Sequence, residues 1–281
     1  MAPRTDLQGV RVIVTRPQKQ AEIWCNQLRD LGAVCACVPV LALEPVRTAE
    51  QIQAIKNVVL DFDLYQKAIF VSQNAVDFAL RWLEDYWPQL PAGMEYFAVG
   101  ETTAKNLQNY GLPVSALTHA TSGAMNSESL LQAETLQQVK GEKIVIFRGC
   151  GGRGQMAEVL RERGAEVTFC ELYRRVIPTP AVQQLHAAFE RVEGSELQQI
   201  IALHSGESLQ NFMQVLEKLN AENSRLLPRE KIIQVPVLVP GQRVAQLAQA
   251  AGFTRIIVAE NATDQAMSAA LVDAVKANQL F

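Results

Sequence analysis

The stretch VRVIVTRPQKQAEIWCNQLRDLGA, residues 10–33, returns in altered form as EKIVIFRGCGGRGQMAEVLRERGA, residues 142–165. Arg16 aligns with Arg148, Leu28 with Leu160 and Gly32 with Gly164, each pair 132 positions apart. Ile69 of KAIFVSQNAV and Ile201 of QIIALHSGES keep the same spacing. Farther along, VGETTAKNLQNYGL resembles VPGQRVAQLAQAAGF, with Gly111 and Gly252 now 141 apart. Each copy reads as an apolar strand, a polar loop, an amphipathic helix and a glycine stop. A repeat of that kind implies two similar α/β domains, with a ligand expected between them.

The rest of the chain keeps the same alternation. Strands are expected at 10–15, 67–72, 95–100, 143–148, 166–173, 199–205, 234–240 and 255–260, where short runs are apolar and rich in β-branched residues. Between them apolar residues recur every three or four positions, as at Ala21, Trp24, Leu28 and Leu31, at Leu209, Phe212, Leu216 and Leu219, and at Val244, Leu247, Ala248 and Ala251. Gly32, Gly111, Gly164 and Gly252 fall where helix C-caps belong. Strands apolar throughout, separated by helices, predict parallel sheets covered on both faces.

With 26 Lys and Arg against 29 Asp and Glu, the net charge is −3. No general attraction to nucleic acid or to an anionic membrane is expected, so an anionic ligand needs a local basic site. The opening MAPRTDLQGV lacks an apolar core, so no secretory leader is expected. GAVCACVPVLAL is too short to span a bilayer. Five scattered cysteines fit a reducing cytoplasm. Cys35 and Cys37 share a strand face, but no second pair or His couple stands near, so no metal site is expected and buried cysteine is the simpler reading.

In parallel sheets, ligands bind beyond the carboxyl ends of the strands. The segments there are TRPQ (15–18), SQNA (72–75), GETTA (100–104), RGCGGR (148–153), HSGES (204–208) and PGQR (240–243). Hydroxyls, glycines and arginines at helix N-termini favour bound anions. Taken singly, Ser72, Thr103 and Ser205 read as helix caps; their recurrence in both halves points to binding. Of the three histidines, His119, His186 and His204, only His204 stands at a strand end where it can face a site. Gly149, Gly151 and Gly154 match G-x-G-x-x-G, with Glu171 near the place of a ribose-binding acid. The repeat partner of that loop has no glycine, and arginine is what the two copies share. A dinucleotide site is therefore disfavoured, and no cofactor is expected.

Taken in order, VIVTRP, LGAVCACVPVLALEP, IFVSQNAV, AVGETTAKNL, IVIFRGCGGR, LYRR, SGESL and VPGQRVAQLAQAAGF resemble the uroporphyrinogen-III synthase family nearly end to end. The resemblance implies two flavodoxin-like α/β domains joined by a two-segment linker, the first domain discontinuous. Residues 1–38 with 177–281 would form one domain and 39–176 the other, crossing at VPVLALEP and LYRRVIP, with the active site in the cleft between. It implies that hydroxymethylbilane, a linear tetrapyrrole with eight carboxylates, is cyclised to uroporphyrinogen III with ring D inverted and water lost. Tyr173 of ELYRR is then the candidate for assisting hydroxyl departure, or else a brace at the domain junction. Thr103 would bind a substrate carboxylate; Arg16, Ser72, Arg148, Arg153, Ser205 and Arg243 are further candidates for propionate and acetate groups. Val71, His204, Gly241 and Val244 depart from the family pattern and put individual contacts in doubt. A cytoplasmic monomer is expected, without nucleic-acid or membrane partners and open to transient contact with the enzyme that makes its substrate. The rival of another class is a non-catalytic two-domain protein that closes on an anionic small molecule.

Overall fold

The computed structural model of the chain describes residues 6–115, 127–190, 197–222 and 228–277. His119 lies outside them. The chain divides into two compact units, Met1–Leu43 with Val176–Phe281, and Glu44–Arg175. In chain order the first unit opens with β1 (Val10–Val14), α1 (Gln18–Asp30) and β2 (Val34–Cys37). The second carries β3 (Ala42–Pro45), α2 (Ala49–Leu60), a 3-10 turn (Phe62–Leu64), β4 (Lys67–Phe70), α3 (Gln73–Tyr86), β5 (Glu95–Ala98) and α4 (Glu101–Asn109). It continues with α5 (Ser127–Leu130), α6 (Glu134–Gln137), β6 (Lys143–Gly149), α7 (Gln155–Glu162) and β7 (Glu166–Val176). The first unit resumes with α8 (Ala181–Glu190), β8 (Gln198–Ala202), α9 (Gly206–Glu222), α10 (Arg229–Ile232), β9 (Val237–Pro240), α11 (Gln242–Ala250), β10 (Ile256–Ala259) and α12 (Asp264–Lys276).

The first sheet runs β10-β9-β8-β1-β2 with every pairing parallel. Counted within the unit this is the doubly wound order 2-1-3-4-5 of flavodoxin-like folds. Alternation sends Ile13, Ile201, Val237 and Val239 to one face, against α8, α9 and α11. Val12, Val14, Ile200, Ala202 and Leu238 go to the other, against α1 and α12. Around the inner strands both faces are dry, which is why these strands read as unbroken apolar runs rather than alternating ones.

The second sheet runs β3-β7-β6-β4-β5, in which β7, β6, β4 and β5 pair in parallel. The repeat maps β6, β7, β4 and β5 onto β1, β2, β8 and β9. Where the counterpart of β10 falls due, Val114 makes one parallel bridge to Tyr96. All eight expected strands are present. Two more, β2 and β3, sit at the outer edges of their sheets, where half-exposed faces dilute the apolar signal. Gly32 and Gly164 follow their helices with φ of 92° and 91°, a conformation that costs glycine little. Leu247, read as a core position of α11, is instead 39% exposed.

Lys67 and His204 are enclosed titratable groups with shifted protonation. Lys67, at the start of β4, is buried with Nζ 2.9 Å from Glu95 Oε1 and 2.6 Å from Glu142 Oε2. Burial opposes its charge, but the two carboxylates outweigh that and hold its pKa above the ordinary lysine value. In the first unit the His204 ring meets Trp24 edge-on at 4.8 Å, and neither imidazole nitrogen has a hydrogen-bond partner. Burial, then the charge of Arg16, push its pKa down to about 3, so the ring is neutral.

Two outcomes follow. Lys67→Met leaves a pair of carboxylates facing each other at a strand end. Because both are partly hydrated, it should cost about 2 kcal/mol, below the range for a fully buried pair, read from urea unfolding at neutral pH. His204 has a lower pKa folded than unfolded, so the unfolded chain binds the extra proton first. Stability linked to it is intact above about 6.5 and is lost as pH falls toward 3. From pH 7 to pH 5 the loss should be about 2 kcal/mol, and His204→Phe should remove that part of the pH dependence.

Candidate active site

Beyond the carboxyl ends of β4 and β6 lies a cavity of about 270 Å³ within the second unit. Val71, Val99, Ile146, Met156 and Phe169 supply its apolar wall. Ser72, Tyr173, Arg148, Arg153 and Arg175 bring hydroxyls and positive charge to the same space. An apolar wall with converging donors suits a ring that carries carboxylates.

Tyr173 is positioned by four contacts. The pairing of β6 with β7 slips by one residue, so Tyr173, not Leu172, stands opposite Gly149. Slips of this kind re-aim a side chain. A Cβ on Gly149 would fall 2.6 Å from Tyr173 Cε2, so the ring can lie there only against glycine. The ring stacks on Phe78 at 5.0 Å and 25°. Its carbonyl accepts from the Cys150 N–H at 2.8 Å. The phenol oxygen is 3.1 Å from Ser72 Oγ, and the residue as a whole is 2% exposed. Ser72 is also the cap of α3, accepting from the Ala75 N–H at 3.1 Å. One hydroxyl thus ties the helix start to the phenol.

Arg148 is buried, in contrast to the exposed Arg153. Its guanidinium stacks over Phe169 at 4.5 Å and donates to the carbonyls of Gly149 (3.2 Å) and Arg153 (3.1 Å). It lies against Gly152 so closely that a Cβ there would collide with Nη2. Gly152 therefore makes room for an arginine of the same chain. Glu171, the would-be ribose acid, accepts from the Gly151 N–H at 3.3 Å. Arginine and carboxylate together fill the loop where a pyrophosphate would have to lie.

The structure brings Tyr173, Ser72, Arg148 and Arg153 into one cavity. Thr103 is buried within α4, 3% exposed, and does not line that cavity; the N-cap of α4 is Gly100. In the first unit Arg16 pairs with Asp264 at the start of α12. Ser205 caps α9, accepting from the Ser208 N–H at 3.0 Å, while Ser208 Oγ donates back to the Ser205 carbonyl. Arg243 is exposed on α11, its guanidinium close to Gly206 at the start of α9. Of the three hydroxyls read as caps, two cap and Thr103 does not.

Phe78, Phe169 and Arg175 were not singled out from the sequence. For Arg175 a signal was present: it stands two residues beyond Tyr173 on one strand, so choosing Tyr173 selects it by period. The slip between Glu171 and Tyr173 breaks the period that would link Phe169 to the phenol. Phe78 carried none, since an aromatic one turn into an amphipathic helix reads as core.

Among the described residues no helix is long and apolar enough to cross a membrane. The family model for uroporphyrinogen-III synthase HemD matches residues 24–269. The uroporphyrinogen-III synthase of Escherichia coli is 33% identical over 273 residues, covering 92% of this chain and 99% of the relative. That of Salmonella typhimurium is 31% identical over 269 residues, again 92% and 99%. Among solved structures, a mutant uroporphyrinogen III synthase from Thermus thermophilus shares the fold with a TM-score of 0.60 at 20% identity, covering 95% of this chain and 99% of that one. The enzyme from Helicobacter pylori does so at 0.56 and 13% identity, covering 94% and 99%. By a match spanning nearly its whole length, the chain belongs to the uroporphyrinogen-III synthase family.

Proposed function

We propose that this chain cyclises hydroxymethylbilane to uroporphyrinogen III, inverting ring D and releasing water. Family membership over nearly the full length carries the reading and favours it over a non-catalytic binding protein. The second unit's cavity adds chemical support. At about 270 Å³ it is smaller than most drug-sized sites and holds only part of a four-ring substrate.

Within it Tyr173 is the acid. With Ser72 donating to the phenol oxygen, the phenolic hydrogen is released toward the departing hydroxyl, and the resulting phenolate keeps a hydrogen bond. The cation left on the substrate is then attacked through the substituted carbon of ring D, giving the spiro intermediate and the inverted ring. Holding the two ends of a flexible chain together supplies much of the barrier reduction. Arg148 shapes the loop and lends it fixed charge, while Arg153 and Arg175 hold carboxylates at the rim. Arg16, Ser205, Arg243 and Thr103 are proposed as further holders of propionate and acetate groups. Loss of any one is partial, because eight carboxylates share the binding. The setting proposed is the cytoplasm and the state a monomer, taking its unstable substrate from the enzyme before it.

Freshly made hydroxymethylbilane, followed by oxidation and separation of the uroporphyrin isomers, decides the matter. Isomer III in excess is expected; isomer I alone, at the spontaneous rate, overturns the reading. Tyr173→Phe keeps the ring on Phe78 and removes only the hydroxyl. It should lower kcat by about a hundredfold, with KM changed far less. Wild-type turnover in that variant would take Tyr173 out of the mechanism.

A further inference from the structure

Three of the five cysteines meet at one place in the first unit, among residues that take no part in the cavity. Cys25 lies on the inner face of α1, fully buried. Cys35 and Cys37 lie on β2, alternate residues on one strand face, and both are half-buried. Cys25 Sγ is 3.1 Å from Cys37 Sγ, closer than two sulfurs stand in ordinary van der Waals contact. Cys35 Sγ is 3.7 Å from the Cys25 carbonyl oxygen. All three are free thiols. β2 is the outer strand of its sheet, so the two strand cysteines stand at the side that small solutes reach. Among the described residues no set of three or more His, Cys, Asp or Glu is arranged to hold a metal ion, so metal binding does not account for the cluster.

We propose that Cys25, Cys35 and Cys37 form an oxidant-sensitive thiol site, in which hydrogen peroxide ties α1 to β2 through a disulfide at Cys25. Bond formation between the touching sulfurs needs them to close by only about 1 Å, within the reach of side-chain rotation. Peroxide enters at Cys35. That thiol is shifted down, by its contact with Cys25 and by the Arg29 guanidinium, and thiolate is the form that reacts. Its sulfur breaks the O–O bond, keeps one oxygen as the sulfenic acid and releases the other as hydroxide. Cys25, whose thiol is held up at about 12 by its contact with Cys35 and by burial, is the resolving partner. Its sulfur displaces the sulfenic oxygen as water, so two thiols and one peroxide become one disulfide and two waters. Cys37, already against Cys25, then receives the bond by thiol exchange, with no further oxidant.

The full-length chain is treated with millimolar hydrogen peroxide, its remaining thiols are capped, and it is digested with trypsin without reductant. Cys25 falls in the peptide of residues 20–29, and both strand cysteines fall in that of residues 30–47. The expected product is these two peptides joined, lighter by two hydrogens than their sum and separated again by dithiothreitol. Cys35→Ser should slow the joining, since it removes the entry thiol from a half-exposed position the fold tolerates. Peptides that stay separate while their cysteines pass to sulfinic and sulfonic acids would overturn the proposal. So would a Cys35→Ser chain that joins them at the wild-type rate.

Discussion

A parallel sheet has to be covered on both faces, because each crossover connection brings a helix back over it. In this chain that requirement uses up the side chains of the strands: Val12 and Ile13 go to opposite cores, as do Ile200 and Ile201. What remains for chemistry is the row of loops at the carboxyl ends, where strand hands over to helix and backbone N–H groups point outward. The candidate groups of both units stand on such loops, on the last strand residues before them or on the first turns after them, and β7 runs farther than the rest. β7 sets Tyr173 opposite Gly149, the last residue of β6, and continues past it to Arg175.

The phenol at that place depends on an irregularity. A regular ladder would set Leu172 beside Gly149 and turn Tyr173 elsewhere. The slip, the bare α-carbon of Gly149 and the ring of Phe78 together decide where the phenol lies, and Ser72 decides what its oxygen touches. Residues with no chemistry of their own thus determine how Tyr173, the proposed proton donor, is presented.

The sequence was most legible where local physics and global fold agree. Apolar runs buried on both faces announced eight strands, and glycines after amphipathic helices announced where those helices stop. β3 escaped, and β2 was read only as the strand face shared by Cys35 and Cys37, because edge strands keep one side toward solvent. The family motifs picked out Tyr173, Ser72, Arg148 and Arg153, yet residue type alone said nothing of what each touches. Arg148, a candidate for a substrate carboxylate, lines the cavity and also holds its own loop; Thr103 looked like a cap and is buried inside a helix. His204 shows the same limit: a histidine at a strand end has no sequence mark that says its ring is dry and neutral. Contacts across the fold, such as Gly149 with Tyr173, are set by register, which a one-residue slip can change without altering composition.

The buried position of Arg148 has an electrostatic consequence. A surface arginine must shed water and surrender rotamer freedom each time it meets an anion. Arg148 has done both during folding: it lies flat on Phe169 and is anchored by the carbonyls of Gly149 and Arg153. Its positive charge is part of the cavity wall before any ligand comes, and it need not move when charge changes nearby. A dipole or charge that is already oriented loses nothing to reorganisation at the moment of reaction. The loop that resembles a nucleotide cradle is in this sense a socket for a permanent cation set in the cavity wall.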